Sequence, residues 1–78
     1  MNEDSAVTTS DKIRVQLNGK EREIEAGHTI ATLLESLELK PGTVVVELNR
    51  EILERRVHED VGVGQGDSIE LVHFVGGG

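Results

Sequence analysis

The sequence predicts an α+β fold of two layers: a mixed sheet of four or five strands packed against one main helix. Three observations lead there. Two short strand-like runs meet at an Asn-Gly pair near the start of the chain. A single stripe of helical period follows. Beyond it lie two runs rich in aliphatic and β-branched residues, the second just before a glycine end.

The first strand is Ile13 to Leu17, where apolar and polar residues alternate with period two, as on a half-buried surface. Asn18-Gly19 follows, and both residues tolerate positive φ, so a tight hairpin turn is expected. Glu21 to Glu25 returns as a more polar strand. Ile24 is its one aliphatic residue, which predicts an edge position where charge discourages pairing with other chains.

The period then changes. Ile30, Leu33, Leu34 and Leu37 fall at i, i+3, i+4 and i+7, the stripe of a helix with one buried face. Thr29, or failing that His28, is placed to cap its start. Lys40-Pro41-Gly42 is expected to end it, because proline lacks the N–H and restricts the residue before it.

Thr43 to Asn49 is β-branched and reads as a strand with Val44, Val46 and Leu48 on one face. A turn at Asn49-Arg50 and a short strand around Glu51 to Leu53 follow. The stretch from His58 to Asp67 reads as loop or a single helical turn, with Gly62, Gly64 and Gly66 marking bends. Ser68 to Phe74 is the last strand, with Ile69 and Leu71 on one face and Val72 and Phe74 on the other. The expected core is Val15, Leu17, Ile24, Ile30, Leu33, Leu34, Leu37, Val44, Val46, Leu48, Ile69 and Leu71. With one aromatic residue in the chain, that core is aliphatic.

Length and composition bound the rest. Seventy-eight residues make one domain. The expected division is a flexible leader over residues 1–11, a folded body over 12–75 and a flexible glycine tail over 76–78. There is no cysteine, so no disulfide, thiol nucleophile or thiolate ligand is available. Fifteen acidic against eight basic residues give a net charge of −7, which repels phosphate backbones and argues against nucleic-acid binding. The start is acidic and no run approaches the roughly 20 apolar residues that span a bilayer. A soluble, cytoplasmic protein without membrane contact, monomeric on its own, is the expectation.

His28, His58 and His73 are scattered without metal-ligand spacing, and a surface or capping role is expected for each. His73 is expected to point inward beside Leu71 or at the end of the sheet. No catalytic residue and no metal site emerges. Arg50, Arg55 and Arg56 are candidates to meet an acidic rim on a partner.

The segments "VQLNGKEREIE", "TIATLLESL", "VVVELNREIL" and "GQGDSIELVHFVGGG" together resemble the β-grasp, or ubiquitin-like, fold, and within it the ThiS/MoaD group. More narrowly they resemble the thiamine-biosynthesis sulfur carrier (ThiS) family. The Gly-Asp turn, last strand and terminal glycines carry most of that likeness. Two departures mark the chain. Arg50 stands in the second turn where relatives commonly have glycine. The last three residues are all glycine, so either the tail is one residue longer than in many relatives, about 3.3–3.6 Å of extended reach, or its register shifts.

The resemblance implies a carrier rather than an enzyme. The terminal carboxyl of Gly78 would be adenylated with ATP by a separate E1-like adenylyltransferase. A sulfur donor protein would then supply the sulfur of a thiocarboxylate, and thiazole synthase would accept it. No cofactor would be bound by the chain itself. Gly76 and Gly77 form the side-chain-free tail that threads into a partner's site. Val45, Val72 and Phe74, on the sheet face away from the helix, form the expected docking patch. The small subunit of molybdopterin synthase, a ubiquitin-like modifier joined to lysines through Gly78 and a plain binding module are the alternative readings.

Overall fold

The computed structural model describes residues 11–40 and 42–73. It shows the expected two layers. The strands are β1 (Lys12–Leu17), β2 (Lys20–Glu25), β3 (Val44–Leu48), β4 (Glu51–Leu53) and β5 (Ser68–His73), with helix α1 (Ile30–Ser36) and a single 3-10 turn at Arg55–Val57. The sheet order is β2-β1-β5-β3-β4, the mixed five-stranded sheet of a β-grasp. β2 is an edge, as its polarity predicts. β5 is central, running parallel to β1 and antiparallel to β3.

Both two-residue turns have positive φ at each central residue: Asn18 at 52° and Gly19 at 82°, Asn49 at 51° and Arg50 at 74°. These are mirror-image turns whose twist suits hairpins. Their asparagines do more than turn the chain, because each reaches the backbone of β5. The Leu71 amide donates to Asn18 Oδ1 at 2.8 Å, and the Ser68 amide donates to Asn49 Oδ1 at 2.9 Å. The Asn18 amide also donates to the Ile69 carbonyl, and the Asn49 amide to the Ser68 carbonyl.

The helix begins at Thr29, which forms a capping box with Thr32. Its end differs from expectation. α1 stops at Ser36, well short of Lys40-Pro41-Gly42, and Pro41 itself lies outside the described residues. The stop is a Schellman arrangement. Glu38 takes the left-handed conformation at φ 63°, its amide donates to the Glu35 carbonyl, and the Leu39 amide donates to the Leu34 carbonyl. Leu39 also packs against the core. Local hydrogen bonding ends the helix before proline is reached.

The core is Val15, Ile24, Ile30, Leu33, Leu34, Val44, Val46, Val63, Ile69 and Leu71. Leu17, Leu37 and Leu48, expected inside, are partly buried against it, and Val63 joins it unannounced. His73 is exposed at the end of the sheet, as expected of it. His58 departs from expectation: it is buried at 5% exposure.

The connection from His58 to Val63 explains that burial. It is latched to the start of the helix: the Ile30 amide donates to the Val61 carbonyl, the Ala31 amide to the His58 carbonyl, and the Val63 amide to the His28 carbonyl. With the Thr29 and Thr32 amides met by the capping box, all four donors of the first turn have acceptors. A segment tied so closely to α1 carries its side chains inward.

Candidate functional site

β5 is the last described strand and precedes the glycines in sequence, so the contacts that fix it come first. Its start is held by the loop before it. Gly66 takes φ 85°, a conformation open to glycine, and its amide donates to the Arg14 carbonyl at 2.7 Å. Asp67 accepts from the Gly64 amide at 2.7 Å through Oδ2 and from Asn49 Nδ2 at 3.1 Å through Oδ1. The Arg14 amide donates to Gln65 Oε1 at 2.8 Å. The Gly-Asp pair thus joins the last loop to β1 and to the β3–β4 turn.

The asparagines hold the strand further along. β1 pairs with β5 through Gln16 and Leu17 opposite Ser68 and Ile69, then turns away at Asn18. The Leu71 amide faces the side that β1 has just left. The Asn18 side chain supplies the acceptor there and extends the ladder past its last strand residue. On the other edge, β3 accompanies β5 as far as Val44 opposite His73.

Of the expected docking residues, the structure brings Val45 and Val72 together as register partners on the face away from α1. Val72 is 55% exposed and Val45 half-buried. Phe74, Gly76, Gly77 and Gly78 lie outside the described residues. Among the arginines, Arg56 pairs with Glu54 at 2.6 Å on the surface, while Arg50 is exposed in its turn.

Sequence reasoning does not single out three outward residues that the sheet gathers here. Glu47 and Glu70 sit opposite one another on β3 and β5, and Ile52 on β4 sits opposite Glu47. Ile52 is 68% exposed. The signal is present in the chain: counting by twos from Val45 reaches Glu47, and from Val72 reaches Glu70.

A cavity of about 140 Å³ opens beside the helix start, lined by Ala31, Leu34, Arg55, His58 and Glu59. It falls below the roughly 300–1,000 Å³ of small-molecule sites. The His58 Nε2 lies 3.4 Å from the Leu53 carbonyl, a structural contact. Among the described residues, no group of three or more His, Asp or Glu is gathered to hold a metal, and no helix is long and apolar enough to cross a membrane.

Comparison with known proteins agrees with this geometry. The ThiS family model matches residues 15–78. The sulfur carrier protein ThiS of Bacillus subtilis (strain 168) is 43% identical over 65 residues, covering 82% of this chain and 98% of that protein. A thiazole synthase of Magnetococcus marinus is 39% identical over 66 residues, and a second, of Paramagnetospirillum magneticum, is 38% identical; the match covers 85% of this chain but 20% of either enzyme. The chain therefore spans about a fifth of the length of those two relatives. The crystal structure of a thiamine biosynthesis protein (ThiS) from Geobacter metallireducens superposes with a TM-score of 0.73 at 33% identity, over 85% of this chain and all of that one. A family match that runs from the first strand through the glycines, on a shared β-grasp frame, places this chain in the ThiS family.

Proposed function

We propose that this chain is a sulfur carrier for thiazole formation in thiamine biosynthesis, a macromolecular substrate without catalysis of its own. The observation that carries the reading is the family match through residue 78 together with a sulfur carrier relative matched over 98% of its own length.

The chemistry follows from the terminus. An α-carboxyl in a free peptide titrates at a pKa of about 3.3–3.7, so at neutral pH it is an anion and a poor acyl donor. Its oxygen attacks the α-phosphorus of ATP on a separate adenylating enzyme, and pyrophosphate leaves. Hydrosulfide attacks the acyl carbon of Gly78 and AMP leaves, giving a thiocarboxylate. Where a donor protein's persulfide attacks instead, AMP leaves and an acyl disulfide forms; a thiol then takes the donor sulfur as a disulfide and releases the thiocarboxylate. Thiazole synthase is the acceptor this reading assigns, supported by the two relatives of that name that contain a stretch like this chain. ATP belongs to the partner, and the carrier holds no cofactor.

Three extended glycines reach about 10 Å, which separates the reacting carbon from the folded body. Ordering them costs roughly 1–2 kcal/mol per residue on docking, a cost that favours release from each partner in turn. Val45, Val72 and Phe74 form the docking patch. Phe74→Ser should weaken capture by the adenylating enzyme and leave the thermal transition in place.

Deleting Gly77 and Gly78 tests the reading. Sulfur delivery to thiazole synthase should vanish while thermal unfolding stays unchanged; delivery that survives the deletion overturns it.

A further inference from the structure

The Asn18-Gly19 pair carries a chemistry besides turning the chain. Asparagine is a thermolabile residue, and a following glycine has no side chain to crowd the next amide nitrogen. The chain has three asparagines, Asn2, Asn18 and Asn49, and Asn18 is the one followed by glycine. Both residues of the pair are exposed, and the place where a Gly19 side chain would stand is open to 4 Å. Among the described residues the Gly19 amide donates to nothing, whereas the Asn18 amide donates to the Ile69 carbonyl at 2.9 Å.

The fold sets a hold against that reactivity. Asn18 sits at φ 52° and Gly19 at 82°, and Asn18 Oδ1 accepts from the Leu71 amide at 2.8 Å. Attack by the Gly19 nitrogen on Asn18 Cγ needs the side chain swung off Leu71 and the backbone turned out of the mirror-image hairpin geometry. Asn49 gives the contrast. It turns the second hairpin at φ 51°, but it precedes Arg50 and is held twice. Its Oδ1 accepts from the Ser68 amide at 2.9 Å, and its Nδ2 donates to Asp67 Oδ1 at 3.1 Å.

We infer that Asn18 is the chain's site of spontaneous deamidation, and that its hydrogen bond to Leu71 is the guard the folded turn sets against it. The step is an internal acyl transfer. Base takes the Gly19 amide proton, the nitrogen bonds to Asn18 Cγ, the Cγ–Nδ2 bond breaks and ammonia leaves, giving a cyclic imide. Water then opens the imide at either carbonyl. Opening at Cγ leaves aspartate, with the backbone as it was. Opening at the main-chain carbonyl of residue 18 leaves isoaspartate, whose backbone runs through Cβ and Cγ.

The two products differ in consequence. Aspartate keeps an oxygen where Leu71 needs an acceptor, now charged and stronger. Isoaspartate adds a backbone atom to a two-residue turn and draws Cγ into the main chain, so the Leu71 amide loses its partner. The turn that guarded the residue cannot re-form around it.

The test ages the full chain in mildly alkaline buffer, folded and in guanidinium. Peptide mapping follows each asparagine, and isoaspartyl methyltransferase labelling counts isoaspartate. In guanidinium Asn18 should convert ahead of Asn2 and Asn49. Its conversion there should be at least about tenfold faster than in the folded chain, the factor that an opening free energy of about 1.4 kcal/mol gives. R50G places a second Asn-Gly pair in the other turn. Both pairs should react alike in guanidinium, while in the folded chain Asn49 should lag Asn18 by about two- to tenfold, as its additional hydrogen bond requires. Exchange at the Leu71 amide should quicken about tenfold or more in the isoaspartate chain, and N18D should keep it within about threefold of wild type.

Equal rates for Asn18 in the folded and unfolded chain, or a folded R50G chain in which Asn49 reacts no slower than Asn18, overturns the guard. Conversion led by Asn2 or Asn49 in guanidinium overturns the site itself. A Leu71 amide that stays protected beside isoaspartate overturns the consequence drawn from it. Each of these results leaves the carrier reading untouched.

Discussion

Asn18 shows how one side chain can finish a sheet. Its backbone turns the first hairpin at φ 52°, and its Oδ1 accepts the Leu71 amide that β1 leaves without a partner. Asn18→Ala should cost about 1–3 kcal/mol, the penalty of an unsatisfied buried donor. Chemical denaturation measures that loss, and faster hydrogen exchange at the Leu71 amide localises it. Arg50 points the other way. It sits at φ 74° in a turn whose geometry a Cβ resists. Arg50→Gly should therefore stabilise the fold by about 0.5–1 kcal/mol, the left-handed strain removed less the entropy glycine adds to the unfolded chain. A lowered midpoint would mean that the guanidinium makes contacts worth more than the strain.

At the scale of elements, α1 depends on its ends because it is only seven residues long. Isolated helices so short do not persist in water. Its first turn is met by Thr29, Thr32 and the carbonyls of His58 and Val61, and its last by Glu38 and Leu39. Thr29→Ala removes one acceptor and half of the capping box, and should cost about 0.5–2 kcal/mol in thermal or denaturant unfolding. An unchanged midpoint would show that the latch from the 58–63 segment suffices alone.

These elements also show where the sequence is readable. Period-two runs and Asn-Gly mark the hairpin to within a residue, and the leucine stripe marks the helix face, because both signals are local. The β-grasp resemblance, which implies a central last strand, puts Val45 near Val72, and the register makes them partners. The helix end escapes such reading because a left-handed glutamate does what proline was expected to do. His58 and Val63 escape it because their burial depends on hydrogen bonds to α1 across about thirty residues, which no local pattern records. Glu47, Glu70 and Ile52 are legible as outward residues. Their placement side by side appears only in the register of the three strands.

For the whole molecule, the proposed function makes the body a holder for the carboxyl of Gly78. A small aliphatic core, closed by aspartate and asparagine contacts around β5, fixes the strand that runs into the glycines. A chain this size has a stability of only about 4–12 kcal/mol, so a catalytic cavity would be a heavy demand on it. Presenting a terminus is a light one, and the chemistry can reside in the partners. The most direct measurement is intact mass spectrometry of the chain after incubation with its adenylating enzyme, ATP and a sulfur source, followed by fragmentation. A carrier should show one oxygen exchanged for sulfur, located at Gly78 and lost again on addition of thiazole synthase and its other substrates. A chain of unchanged mass under turnover conditions, or sulfur found anywhere but the final carboxyl, would contradict that role.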